Sequence, residues 1–179
     1  MIILNNRMQA LAALTTAGCY IYASPTAESR AKIRDFLVEN LMDSELEFIK
    51  LSDVTEYHVT MMYSNRNPWE NLQQAVAALP SFAPIQGTLT GALGFGEDNT
   101  VAVLDVESPG LADLHENLKK YLVWDSQYDW HPHCTIAKTK GDASLKRLFD
   151  RVVARLDRQL KVNPISVEFD FVAPDIIRG

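Results

Sequence analysis

Cysteine is scarce: Cys19 and Cys134 are the two in 179 residues, too few for a disulfide framework, so a reducing compartment is the default expectation. Long hydrophobic runs are missing as well. No window approaches the roughly 18–20 uninterrupted apolar residues that span a membrane as a helix. Basic charge is also short, with 17 Lys and Arg against 23 Asp and Glu and a net charge of −6. That balance argues against a broad basic surface for long nucleic acid, but it permits a small anionic ligand in a local pocket. No basic segment leads the apolar stretch "ALAALTTAG", and apolar residues precede Arg7. The start therefore reads as a short helix over residues 7–16, stopped by Gly18, rather than as a secretory signal. A cytoplasmic protein with no membrane partner is expected.

What is present looks globular, with 47% hydrophobic residues and no linker or low-complexity stretch. "CYIYAS" alternates like a strand, with both tyrosines on one face. Thr26, Glu28 and Ser29 mark a helix start, and Ile33, Phe36, Leu37 and Leu41 form its apolar stripe. "WENLQQAVAAL" reads as a second helix. "IQGTLTGALGF" and "TVAVLDVES" read as a hairpin. "GLADLHENLKKYL" places Leu111, Leu114, Leu118 and Leu122 on one helical face, and "SLKRLFDRVVARLDRQL" is the clearest amphipathic helix. "ISVEFDFV" alternates as a half-exposed strand. This order predicts one α+β domain with two similar halves, residues 18–80 and 85–179, behind a helical extension over 1–17.

One pattern occurs once in each half. "EYHVTMMYS" holds His58 and Thr60, and "HPHCTIAK" holds His133 and Thr135. On a strand, residues i and i+2 share a face and lie about 6.5–7 Å apart. Each motif therefore presents an imidazole beside a hydroxyl, while Val59 and Cys134 turn toward apolar packing. If the halves pair pseudo-symmetrically, two imidazoles and two hydroxyls meet in one cleft. That set suits phosphoryl transfer without metal. One histidine takes a proton from the nucleophile, the other protonates the leaving oxygen, and the hydroxyls donate to non-bridging oxygens.

"HVTMMY" and "HCTIAK" resemble the paired H-x-T/S motifs of the 2H phosphoesterase superfamily, and the element order resembles its bilobal fold. The superfamily includes LigT-type RNA ligases and 2′,3′-cyclic phosphodiesterases, eukaryotic cyclic phosphodiesterases, and phage enzymes that destroy cyclic-oligonucleotide signals. The resemblance implies antiparallel sheets lining a central cleft, with His58 and His133 as the acid–base pair and Thr60 and Thr135 as phosphate clamps. "HVTMMYS", "HPHCTI" and "IYAS" are most similar to the phage anti-CBASS phosphodiesterases, which act against a bacterial defence that signals with cyclic di- and trinucleotides. The implied partner is thus a small cyclic oligonucleotide, with no cofactor. LigT-like members often carry Arg where this chain has Lys138, and lysine cannot make the bidentate phosphate contact of arginine.

Tyr22, Tyr63 and Trp130 flank the motifs and could stack on bases. Glu168 could read a base edge. His131 shares its face with His133, but no carboxylate is apparent beside either motif to support a metal site with His58. His115 sits between polar residues and is expected to be a solvated surface histidine. Gly94 and Gly96 precede a turn and strand, which is not a dinucleotide fingerprint.

Overall fold

The computed structural model describes residues 19–64, 68–79, 84–95, 100–124, 126, 128–140 and 143–176. The helix expected over residues 7–16 lies outside them. Among the described residues there are seven strands: β1 (Cys19–Pro25), β2 (Ile49–Leu51), β3 (Val59–Ser64), β4 (Ile85–Phe95), β5 (Val101–Glu107), β6 (His133–Thr139) and β7 (Ile165–Ile176). Four α-helices accompany them among the described residues: α1 (Ala27–Asn40), α2 (Trp69–Ala77), α3 (Pro109–Leu118) and α4 (Ala143–Val162).

Local chemistry sets the helix starts. Thr26 Oγ1 accepts the Ser29 N–H at 3.2 Å and caps α1. Ser108 Oγ accepts the Leu111 N–H at 3.2 Å and caps α3, whose first residue is Pro109. α3 stops at Leu118, one turn sooner than the leucine spacing suggests. Leu122 is nevertheless 3% exposed, and its N–H reaches the Leu118 carbonyl at 3.0 Å.

The strands pair antiparallel in the order β2-β6-β3-β1-β7-β4-β5, and β5 also pairs with β6, so the ladder returns on itself. Two triplets make up this ring, β3-β1-β7 and β6-β5-β4. They are joined at β7–β4 on one side and at β3–β6 on the other. The triplets mix sequence from both ends of the chain, since β7 adds to β1 and β2 adds to β6. α1 and α2 pack on β1 and β7, α3 on β3 and β4, and α4 on β4 and β6. The core between helices and strands includes Ile21, Leu104, Phe149, Leu156 and Phe169, each at most 2% exposed.

The twofold relation extends to a shared irregularity. Along β1 and β3, Ile21 faces Met62 and Tyr22 faces Thr60, so Met61 is an extra residue. Along β5 and β6, Ala102 faces Ala137 and Val103 faces Thr135, so Ile136 is an extra residue. Each motif strand thus has a β-bulge immediately after its threonine. Two consecutive residues turn inward there, Met61 and Met62 in one strand and Ile136 and Ala137 in the other, all at most 3% exposed. Beyond the bulge the alternation resumes one residue late, which returns Tyr63 and Lys138 to the face of the motif.

Candidate active site

Val59 pairs with Cys134 where β3 meets β6. These are the middle residues of the two motifs. In an antiparallel register this sets His58 opposite Thr135 and Thr60 opposite His133. Facing residues have Cβ atoms about 4.5–5.5 Å apart, and diagonal neighbours such as His58 and His133 about 7–8 Å. Val59 and Cys134 are 0% and 1% exposed, so the pair seals the back of the site while the polar residues face out. Both histidines and Thr135 line one cavity of about 800 Å³. Thr60 lines an adjoining cavity of about 500 Å³, and His133 and Phe95 line both.

The two imidazoles are held in the same way. His58 Nδ1 lies 2.7 Å from the Glu56 carbonyl oxygen, and His133 Nδ1 lies 2.6 Å from the carbonyl oxygen of His131. A carbonyl can only accept, so each Nδ1 carries the hydrogen and donates it, and each Nε2 is left for chemistry. Burial pushes the His133 pKa down. The hydrogen bond to the His131 carbonyl opposes this, positive charge on His131 adds to it, Asp105 opposes it, and positive charge on His58 lowers it further.

Tyr22 lies beside His58, with ring centroids 5.5 Å apart, and Tyr20 lies 5.6 Å from the same imidazole. Lys138 lines the larger cavity. Tyr63 and Trp130 line the smaller one. Trp130 Nε1 donates to the Thr60 carbonyl at 2.9 Å, so this tryptophan also holds the first motif strand.

Two expectations are corrected. His115 is not a surface residue: it is 4% exposed, stacks on Trp130 with centroids 4.3 Å apart, and donates from Nδ1 to the Met61 carbonyl at 2.7 Å. Its burial pushes its pKa down. The reason is helical spacing, since Leu111, Leu114, His115 and Leu118 fall at i, i+3, i+4 and i+7 on the buried face of α3. Glu168 lines neither cavity. It sits opposite Gln86 in the β4–β7 ladder and accepts that amide at 2.5 Å. His131 places Nε2 2.7 Å from Asp105 Oδ1 and lines the smaller cavity. Among the described residues, no group of three or more His, Cys, Asp or Glu is placed to hold a metal ion.

Several cavity residues were not singled out from sequence. Arg30 lines the larger cavity, where Nη2 donates to Ser24 Oγ at 3.0 Å and Nε is buried without a partner. Phe171 is 53% exposed and lies 6.3 Å from Tyr22. Its alternation with Phe169 points to the core, but a register shift leaves Asp170 as an extra residue and turns Phe171 outward. Phe95 stands 4.5 Å from the His133 ring.

A family model described as the 2′-5′ RNA ligase superfamily matches residues 23–172. Comparison with curated proteins gives no match. Among solved structures, E. coli LigT complexed with 3′-AMP is 15% identical, with a TM-score of 0.53 over 90% of this chain and 95% of that one. The PDE domain of MHV ns2 is 18% identical, with a TM-score of 0.53 over 90% and 97%. Usb1 of Kluyveromyces marxianus with uridine monophosphate is 12% identical, with a TM-score of 0.55 over 90% and 95%. At these identities the likeness is one of fold.

Proposed function

This chain belongs to the 2′-5′ RNA ligase superfamily, whose members act on phosphodiester bonds, and we propose that it cleaves 3′–5′ linkages of small cyclic ribonucleotides by two-histidine acid–base catalysis. The observation that carries this reading is the matched pair of imidazoles. Each is anchored through Nδ1 to the carbonyl two residues before it, and both line the same cavity. His133, whose neutral form is favoured by burial, takes the proton from the ribose 2′-OH. The 2′-oxygen attacks phosphorus, and the bond to the 5′-oxygen breaks. His58 gives its proton to that oxygen. The tethered 2′-OH replaces a bimolecular encounter with an intramolecular one.

The product is a 2′,3′-cyclic phosphate. Opening it with water needs the two histidines in exchanged roles, which the twofold arrangement suits. LigT-like hydrolysis of RNA 2′,3′-cyclic phosphates is thus a second reading of the same residues. Thr60 and Thr135 donate hydroxyl hydrogen bonds to the non-bridging oxygens, and Tyr22, Tyr63, Trp130 and Lys138 hold the nucleotide. The chemistry calls for no metal. The likeness of "HVTMMYS", "HPHCTI" and "IYAS" to the phage enzymes supports a cyclic-oligonucleotide defence signal as the substrate.

The test is to incubate the purified protein, with excess chelator, with a panel of cyclic di- and trinucleotides and 2′,3′-cyclic mononucleotides, and to separate the products chromatographically. Cleavage of cyclic oligonucleotides supports the reading. Turnover confined to 2′,3′-cyclic phosphates supports the LigT-like one. Tight binding with the nucleotide returned unchanged makes the protein a nucleotide sink, and activity lost to chelator and restored by a divalent metal overturns the metal-free mechanism.

A further inference from the structure

We infer that the smaller cavity is a guanine subsite, so that the substrate places one nucleoside on each side of the phosphate and the base on the Thr60 side is read by Asp129; this rests on the phosphodiesterase reading. A phosphate between His58 and His133 sends its two ester substituents apart. Thr135 lines the larger cavity and Thr60 the smaller, and His133 and Phe95 form the boundary between them. Volumes of about 800 and about 500 Å³ both fall within the range of small-molecule sites. A substrate with a single nucleoside would leave one of them unused.

The smaller cavity has the walls a base needs. Trp124 donates from Nε1 to the Tyr128 carbonyl at 2.8 Å and meets His115 edge-on at 5.5 Å. Trp130 is fixed between the Thr60 carbonyl and the His115 ring. Tyr128 is 52% exposed, with Phe95 6.4 Å away. Large aromatic faces held this way are stacking surfaces formed in advance of binding.

Ser126 and His131 also line this cavity, but its one carboxylate among the described residues is Asp129, which is exposed. An ionised carboxylate only accepts hydrogen bonds. Guanine alone among the four common bases offers two adjacent donors on one edge, N1–H and the 2-amino group, which two carboxylate oxygens can take together. Adenine and cytosine pair a donor with an acceptor on that edge, which would face the carboxylate with repulsion.

The experiment uses His58→Ala protein, which is blocked in catalysis while its smaller cavity is intact, since His58 lines the other one. Quenching of tryptophan fluorescence reads binding of the dinucleoside monophosphate GpG and of its inosine counterpart, which lacks both 2-amino groups. GpG is expected to bind at least about tenfold tighter, the worth of one hydrogen bond to a charged acceptor. Asp129→Asn should bring that ratio to within about twofold, and Trp124→Ala should weaken both ligands by a similar factor. A GpG-to-inosine ratio unchanged by Asp129→Asn overturns the proposal, as does a wild-type ratio near one. Wild-type turnover of the same ligands is measured separately. Guanine-selective binding without turnover keeps the subsite and removes the catalytic reading, and turnover without selectivity does the reverse.

Discussion

Val59 faces Cys134 across the join between β3 and β6, middle residue of one motif against middle residue of the other. This single register places each histidine opposite the threonine of the other motif. One phosphate can then touch residues from both motifs at once. A one-residue slip would turn one motif to the opposite face of the strand and destroy the site. The site is therefore a property of the strand pairing, and its two halves should fail together.

His58→Ala and His133→Ala are each expected to remove most turnover, with nucleotide affinity held within about tenfold, because proton transfer acts on the transition state. Thr60→Ala and Thr135→Ala should cost about 10²–10³ in kcat, the worth of one oxyanion donor. Steady-state kinetics with the favoured substrate measures both. A threonine variant that raises KM alone would make that hydroxyl a ground-state contact.

The pH profile follows from the role proposed for His133 as the base. The base must be neutral, and burial lowers its pKa below the ordinary histidine value of 6.5. Activity on the acid side is therefore expected to persist below pH 6.5 and to fall at a lower pH, as His133 becomes protonated. In a coupled pair the two limbs belong to the pair as a whole. An acid limb above 6.5 would contradict His133 as the base.

Buried histidine also links stability to pH. His115 and His133 both have lowered pKa values in the folded protein, so below about pH 6.5 the unfolded chain binds more protons than the folded one. Folding stability is expected to fall as pH drops through that value. His115→Gln, which keeps a donor for the Met61 carbonyl, should reduce the difference in melting temperature between pH 7.5 and pH 5.5. An identical difference in wild type and variant would mean that His115 is accessible to protons in the native state.

Thiol reagents should leave the enzyme active. Cys134 lies between His133 and Thr135, but burial pushes its thiol up to about 12 and it is 1% exposed. Cys19 is equally buried, and its thiol is also raised by burial. Thiolate is the reactive form, so alkylation at pH 8 is expected to proceed only on unfolding, as mass spectrometry would read directly. Rapid native labelling of Cys134 would mean that the β3–β6 join opens.

The motifs were legible because the strand period of two puts His and Thr on one face, and among the described residues the helices with an apolar stripe appeared where their spacing placed them, except that α3 ends at Leu118, a turn before Leu122. Tyr63 and Lys138 needed more, because simple alternation points them away from the motif face until the bulges at Met61 and Ile136 are known. Bulges leave little mark in a sequence, and the one at Asp170 hid Phe171 in the same way. His115 was legible at i+4 from Leu111, but its polar neighbours outweighed that spacing. Arg30 carries no local signal, since its place in the cavity depends on how α1 packs against β1.

The assignment of opposite roles to the two histidines is tested most directly with a substrate whose leaving 5′-oxygen is replaced by sulfur. A thiolate departs without protonation, so this linkage needs a base but no acid. Its cleavage by His58→Ala is expected to return to within about tenfold of the wild-type rate, while His133→Ala stays at least about 10²-fold slower, the usual worth of a general base. Rescue of His133→Ala instead would exchange the roles. Rescue of neither would contradict acid–base catalysis by this pair.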